Sequence, residues 1–378
     1  MKLTDICDFQ GGSQPPKNQW SSEPKEGYIR MLQIRDFTQD SSKVEYVKIT
    51  NSIKKCNGKD ILIARYGASI GKILTGLSGA YNVAMMKVVI DENIVDRNFI
   101  YNFLKSDMFQ NYIKNVGQRA AQAGFNKEEL SKININLPTL EEQKNIAQEL
   151  NKVQEIIDIR KKQIDQLYEL IKSQFVEMFG DPYFNRYNWK IGTIRELVSD
   201  VRYGTSKPST EGGKYKYLRM NNITYNGKLD VTDIKYIDIP DNEIEKCSTK
   251  KGDILFNRTN SRELVGKTCV FDLDEKMVIA GFVIRVRVNE LSNPYFLSEY
   301  LNTKYMKKNL YNMCKNASGQ SNINAQELQN IKIYIPPIEL QNQFADIVKQ
   351  IDKQKFKVQE SLNKMQNLYE ALMDQYFG

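Results

Sequence analysis

The sequence predicts an α+β fold in two tandem copies, each copy ending in a long, heptad-patterned helix. Three observations carry this. Six segments of the first half recur in order in the second. Within each half, short strand-like runs are mixed with amphipathic helical ones instead of alternating regularly with them. At the end of each half, apolar residues repeat every 3.5 positions for more than four heptads, a coiled-coil signal.

The duplication is collinear. Tyr28-Ile-Arg-Met-Leu-Gln-Ile34 returns as Tyr217-Leu-Arg-Met-Asn-Asn-Ile223, displaced by 189 residues. GKDILIAR at 58–65 returns as KGDILFNR at 251–258, displaced by 193, and Gly71-Lys72 as Gly266-Lys267, displaced by 195. FIYNFL at 99–104 matches FLSEYL at 296–301, displaced by 197. QAGFN at 122–126 and PTLEEQ at 138–143 match QSNIN at 320–324 and PPIELQ at 336–341, both displaced by 198. A displacement that only grows predicts two homologous halves with loop insertions in the second. An arginine kept in both copies, as Arg30 and Arg219 are here, cannot tell two ligands apart. It can hold a phosphate or brace a strand. The changed pair, Leu32-Gln33 against Asn221-Asn222, marks where the copies diverge.

The elements follow in chain order. Residues 59–64 and 252–257 read as strands entered by a turn, and 84–90 and 283–288 as further strands. Residues 99–106 and 296–303 read as amphipathic helices. Pro138 and Pro336 stand where long helices begin, and Gly180 and Gly378 where they close. The predicted seam of the first runs Ile146, Leu150, Val153, Ile157, Arg160, Ile164, Leu167, Ile171, Gln174, Met178. That of the second runs Phe344, Val348, Ile351, Lys355, Val358, Leu362, Met365, Tyr369, Leu372, Tyr376. Arg160 and Lys355 are polar in a seam; such residues either set register or lie at its edge with the charge in water. The expected division is 1–137, 138–180, 181–335 and 336–378.

Composition bounds the chemistry. The 378 residues suffice for several cores, and the apolar and charged fractions are those of a globular chain. A net charge of +8 permits a phosphate-rich partner without requiring one. The absence of histidine excludes H-E-x-x-H zinc sites, H-x-E deaminase chemistry and histidine-based triads. Cys7, Cys56, Cys247, Cys269 and Cys314 form no C-x-x-C pair. Reduced thiols in the cytoplasm are the expectation. No run of about 18 apolar residues predicts a membrane span, and the N-terminus lacks a signal peptide's apolar region.

Three enzyme signatures come close and fail. Ser261–Thr268 (SRELVGKT) ends like a phosphate-binding P-loop, but Ser261 stands where the first glycine belongs; in the first half Tyr66 stands there, and Ile73 replaces the magnesium-holding hydroxyl. FQGGS at 9–13 approaches a methyltransferase cofactor loop, but Ser13 replaces its last glycine. DPYF at 181–184 approaches a D-P-P-Y loop, with Tyr183 in place of the second proline. Catalysis by this chain is therefore not expected.

Two variable α+β domains, each followed by a Pro-x-Leu/Ile-Glu-x-Gln helix with heptads, resemble the specificity subunit of type I restriction–modification enzymes. Pro138–Gln143, Pro336–Gln341, the two long helices, GKDIL at 58–62, GDIL at 252–255, and Phe179-Gly-Asp-Pro182 leading to Trp189 carry the resemblance over nearly the whole chain. It implies two target recognition domains separated by an antiparallel pair of helices. Each domain would read one half of a split, asymmetric site in double-stranded DNA, and the helices would fix the gap. The subunit would be non-catalytic and hold no cofactor. Two methyltransferase subunits would dock on the helices, whose charged residues include Glu155, Arg160, Lys161, Lys162 and Lys349, and would methylate adenine with S-adenosylmethionine. Two motor-nuclease subunits using ATP and magnesium would join where the system also cleaves. An alternative reading is the fused recognition portion of a methyltransferase or nuclease with its own catalysis; a third is a coiled-coil protein without DNA. The first domain has almost no lead-in before its match. It is expected either to lack an N-terminal flap or to borrow the C-terminal helix end.

If the chain reads DNA, polar loops at matched positions with unmatched residues are the candidate readers. The first pair, 11–17 and 204–209, contributes Gln14, Lys17 and Lys207. The second, 65–72 and 258–267, contributes Arg65, Tyr66, Ser69 and Lys72, then Arg258, Thr259, Asn260, Arg262 and Lys267. The third, 117–126 and 315–324, contributes Gln118, Arg119, Gln122 and Asn126, then Lys315, Ser318, Gln320 and Asn322.

Overall fold

The computed structural model describes residues 1–39, 43–119, 124–317 and 320–378, with side chains throughout except at 118, 119, 315–317 and 320. The chain forms two compact units, Met1–Arg160 with Ser361–Gly378, and Lys161–Glu360. Each therefore holds one α+β domain and a part of both long helices, Leu140–Phe179 and Ile338–Phe377.

In the first unit an antiparallel sheet runs in the order Cys7–Gly11, Met85–Ile90, Ile61–Ala64, Ile73–Leu74. All four residues of Ile61–Ala64 are buried, which explains the unbroken apolar run in the sequence. A five-stranded sheet lies alongside in sequence, with Tyr28–Leu32 running parallel to Gly79–Tyr81. Helices Arg97–Lys105 and Asp107–Arg119 follow. The second unit repeats the plan: Val198–Tyr203, Val283–Val288, Ile254–Asn257, Thr268–Val270, with Tyr215–Leu218 parallel to Val278–Ile279 and helices Pro294–Asn302 and Lys304–Met313.

The Pro-x-Leu/Ile-Glu-x-Gln motif has a physical reason. Gln143 and Gln341 are buried at the start of the long helices. The Gln143 carboxamide accepts from the Asp96 backbone N–H (2.8 Å) and donates to Pro138 O (2.9 Å). Gln341 accepts from the Asn293 N–H (2.9 Å) and donates to Pro336 O (2.9 Å). Asp96 and Asn293 are themselves the N-caps of the short helices. One glutamine per domain thus fastens the start of a long helix to the start of a short one.

The long helices pair antiparallel within each unit. In the second, Lys355 lies 3.8 Å from the Tyr168 ring centroid and Phe344 5.5 Å from Phe175. In the first, Tyr376 donates to Glu149 (2.7 Å), while Asn102 lies within 3.5 Å of both Asn151 and Tyr369. Phe179 packs 4.9 Å from Phe296, and Phe377 packs 5.2 Å from Phe99. The first domain does borrow the C-terminal helix end, and Phe377 fills the place that Phe179 fills in the second. No described helix is long and apolar enough to cross a membrane. All five cysteines are buried and unpaired.

Three expectations are corrected. The repeated phrase is a slipped likeness. Asn82 donates to Leu32 O and Ala280 to Leu218 O, so Leu32 and Leu218 are equivalent, a displacement of 186 and not 189. Gln33 and Arg219 each open a short turn capped by Asp36 (2.7 Å) and Asn222 (2.8 Å). Arg30 and Arg219 are not counterparts; Arg30 pairs with Asp36 (3.0 Å) and Arg219 with Asp233 (2.8 Å). Nor does the displacement only grow. Ser13 and Thr205 bridge to Asn82 and Ala280, which makes them equivalent at 192, so the following loop is shorter in the second domain. Finally, at the end of the first long helix the buried residues are Phe175 and Phe179, one position beyond the predicted Gln174 and Met178. There the helix packs on a domain, and a straight helix drifts from a strict heptad.

Candidate nucleic-acid interface

In both domains the candidate loops converge at one end of the four-stranded sheet. In the first, Gly12 donates to Met85 O and Arg65 to Ala84 O (2.8 Å). A Cβ on Gly12 would collide with the Asn82 carbonyl, which explains the glycine by close backbone approach and not by a cofactor. Tyr66 bridges to Gly124, and the Arg65 Nε donates to Phe125 O (3.2 Å). Arg65 also lies 5.0 Å from the Tyr66 ring centroid. Gln14, Lys17, Tyr66 and Lys72 are exposed and Ser69 is half-buried in the turn Gly67–Ser69.

In the second domain Gly204 donates to Val283 O, Arg258 to Phe282 O (2.9 Å) and Ile323 to Arg258 O (2.9 Å). Short strands Thr259–Asn260 and Gln320–Asn322 pair directly. Arg258 lies 4.9 Å from the Tyr203 ring centroid, and Arg262 lies 4.2 Å from that of Tyr311 while donating to its carbonyl (3.0 Å). Lys207 is half-buried and pairs with Glu243 (2.9 Å). Asn260 donates to Asn257 (3.0 Å).

Several candidates are committed to bonds within the fold. Lys267 is buried, donates to Met220 O (2.9 Å), and burial holds its ammonium below the usual lysine range. Thr259 is buried and donates to Asn322 Oδ1 (2.9 Å), so both complete the loop's own structure. Asn126 caps the helix Lys127–Leu130 by accepting from Glu129 N–H (3.0 Å), as Asn324 caps Ala325–Gln329. Lys267 and Thr259 are thus held inside the fold, whereas Asn126 stays exposed with its Oδ1 committed to the cap. Gln118, Arg119, Lys315 and Gln320 have no described side chains, and Gln122 and Ser318 lie outside the described residues. Sequence reasoning missed Tyr203 and Phe282, which are large, exposed and beside Arg258. The available signal was an aromatic next to a loop glycine, Tyr203-Gly204 and Gly281-Phe282.

Residues 1–169 and 187–365 both match the family described as type I restriction modification DNA specificity domain. The chain belongs to that family. The specificity subunit of the type I restriction enzyme MjaVIII from Methanocaldococcus jannaschii is 27% identical, over 97% of this chain and 91% of that one. The EcoKI specificity subunit of Escherichia coli is 23% identical, over 92% and 81%. The crystal structure of a type I restriction–modification S subunit from M. genitalium shares the fold, with a TM-score of 0.58 at 17% identity, over 100% of this chain and 95% of that one. Membership of this DNA specificity family fits loops that are shared in position and varied in residue.

Proposed function

We propose that this chain is the DNA-reading, non-catalytic specificity subunit of a type I restriction–modification complex. Each α+β domain reads one half of a split, asymmetric site in double-stranded DNA. The long helices set the gap and dock two methyltransferase subunits, which supply S-adenosylmethionine. Two motor-nuclease subunits using ATP and magnesium join where the system cleaves. The working division is two recognition domains, 1–137 and 181–335, and two spacer helices, 138–180 and 336–378.

The observation that supports this reading best is the paired loop end. Each domain carries an arginine, Arg65 or Arg258, fixed by the same backbone hydrogen bond to the same turn, amid surroundings that differ between copies. A reader of two different half-sites needs that combination of common frame and divergent lining.

The test is to mix the chain with its methyltransferase partner and map N6-methyladenine on plasmid DNA. A split motif that appears only with both proteins is the expected result. Methylation by this chain alone would favour the alternative of a fused catalytic protein, and methylation that does not depend on this chain would overturn both.

A further inference from the structure

The arginines at the two loop ends are anchored alike and supported differently. The Arg65 guanidinium donates to Val83 O (3.5 Å) and the Arg258 guanidinium to the corresponding Gly281 O (3.4 Å). Each sits over one exposed tyrosine at nearly the same distance. In the first domain that ring is Tyr66, the next residue, and Arg65 Nε is further held by Phe125 O. In the second domain Thr259 occupies the matching place and is buried, and the ring comes from another strand as Tyr203. The Tyr203 hydroxyl accepts from the Ala325 backbone N–H (2.8 Å), which fixes the ring at both ends. Phe282, 48% exposed, flanks the second arginine, where the first domain has Ala84.

A phosphate has the same geometry in every half-site and gives no reason to move the support of an arginine from one strand to another. A base at a different depth or offset does. A guanidinium held over a ring, with its anchoring to a carbonyl already made, loses little freedom on binding. Its fork fits the O6 and N7 acceptors of guanine in the major groove. An arginine kept in both copies cannot by its identity distinguish the half-sites, but its support can set where in the groove it reaches. We propose that Arg65 and Arg258 each read a guanine edge in their own half-site at a place set by those different supports, and that Tyr203 is the positioning residue that aims Arg258. This rests on the DNA-reading function proposed above.

The experiment compares methylation motifs of the full complex made with the wild-type chain, Arg258→Ala, Tyr203→Ala, Tyr203→Phe and Arg65→Ala. The wild type should show a fixed G·C pair in each half-site. Arg258→Ala should relax that pair in one half-site, with discrimination falling about tenfold or more, and leave the other half-site unchanged. Tyr203→Ala should relax the same position, while Tyr203→Phe, which keeps the ring but loses the Ala325 hydrogen bond, should retain most of the discrimination. Arg65→Ala should relax the opposite half-site. Three results would overturn the inference while leaving the DNA-reading function intact: a half-site without a fixed G·C pair, an unchanged motif with Tyr203→Ala, or Arg258→Ala weakening methylation uniformly with its motif intact, which is phosphate behaviour. Absence of any split motif with the wild-type chain would instead overturn the underlying reading.

Discussion

Two lysines that look like surface residues in the sequence are held inside the second domain. Lys307 donates to Gly266 O (3.0 Å), beside a turn that Gly266 closes at φ +80°, and lies 5.6 Å from the Tyr225 ring centroid. Burial pushes its ammonium down to about 8; Glu299 opposes the shift and Lys267 adds to it. Below about pH 8 the amine is charged in both folded and unfolded chains, and the folded state carries the full cost. Between about 8 and the ordinary lysine value of 10.5 the unfolded chain keeps a proton that the folded chain sheds. Stability from this group therefore rises with pH across that window. The wild type should gain about 2 kcal/mol relative to Lys307→Met between pH 8 and 10, read as the difference in urea unfolding free energy. A flat difference would show that the ammonium is solvated. In the sequence Lys267 reads as part of a Gly-Lys-Thr string and as a basic residue of a candidate DNA-contacting loop. Its burial depends on the Met220 carbonyl, brought up by a segment 47 residues away, and no local pattern reports that.

At the scale of elements, the sequence was most informative where one face is buried throughout. Ile61–Ala64 and Ile254–Asn257 were readable because a central strand needs apolar residues on both faces. The short helices and long seams were readable from their periods. What slipped was register in short strands. Tyr-Ile-Arg-Met and Tyr-Leu-Arg-Met match at three of four letters, yet the ladders to Gly79–Tyr81 and Val278–Ile279 make Leu32 the counterpart of Leu218. A strand of four or five residues carries too few side chains to fix its own register; the parallel partner decides it. The glutamine latch gives the element-scale prediction. Gln341 satisfies the Asn293 N–H, Ser292, Pro336 O and Leu291 O in a dry setting. Gln341→Ala should cost about 2–4 kcal/mol, since several buried partners lose their bonds together. Chemical denaturation checks the size. A cost below about 0.5 kcal/mol, typical of a surface substitution, would mean that packing alone holds the helix start.

For the molecule as a whole, the proposed spacing role makes a demand that side chains cannot satisfy. Each long helix has 40 residues, about 60 Å at 1.5 Å per residue. Because the helices pair antiparallel within each unit, a heptad must be removed from both for the seam to stay in phase. That deletion shortens each helix by about 10 Å, the rise of about three base pairs. The two readers would then meet DNA rotated by roughly a third of a turn as well as closer together. Where each domain still folds, two outcomes follow: a motif with the same half-sites and a gap shorter by about three base pairs, or loss of methylation because both faces cannot be met at once. Deleting the heptad from one helix alone should break the seam and lower thermal stability, which separates misfolding from misplacement. Methylation mapping that returned the wild-type gap from the doubly shortened chain would show that the gap is set elsewhere, by the methyltransferase subunits or by the DNA.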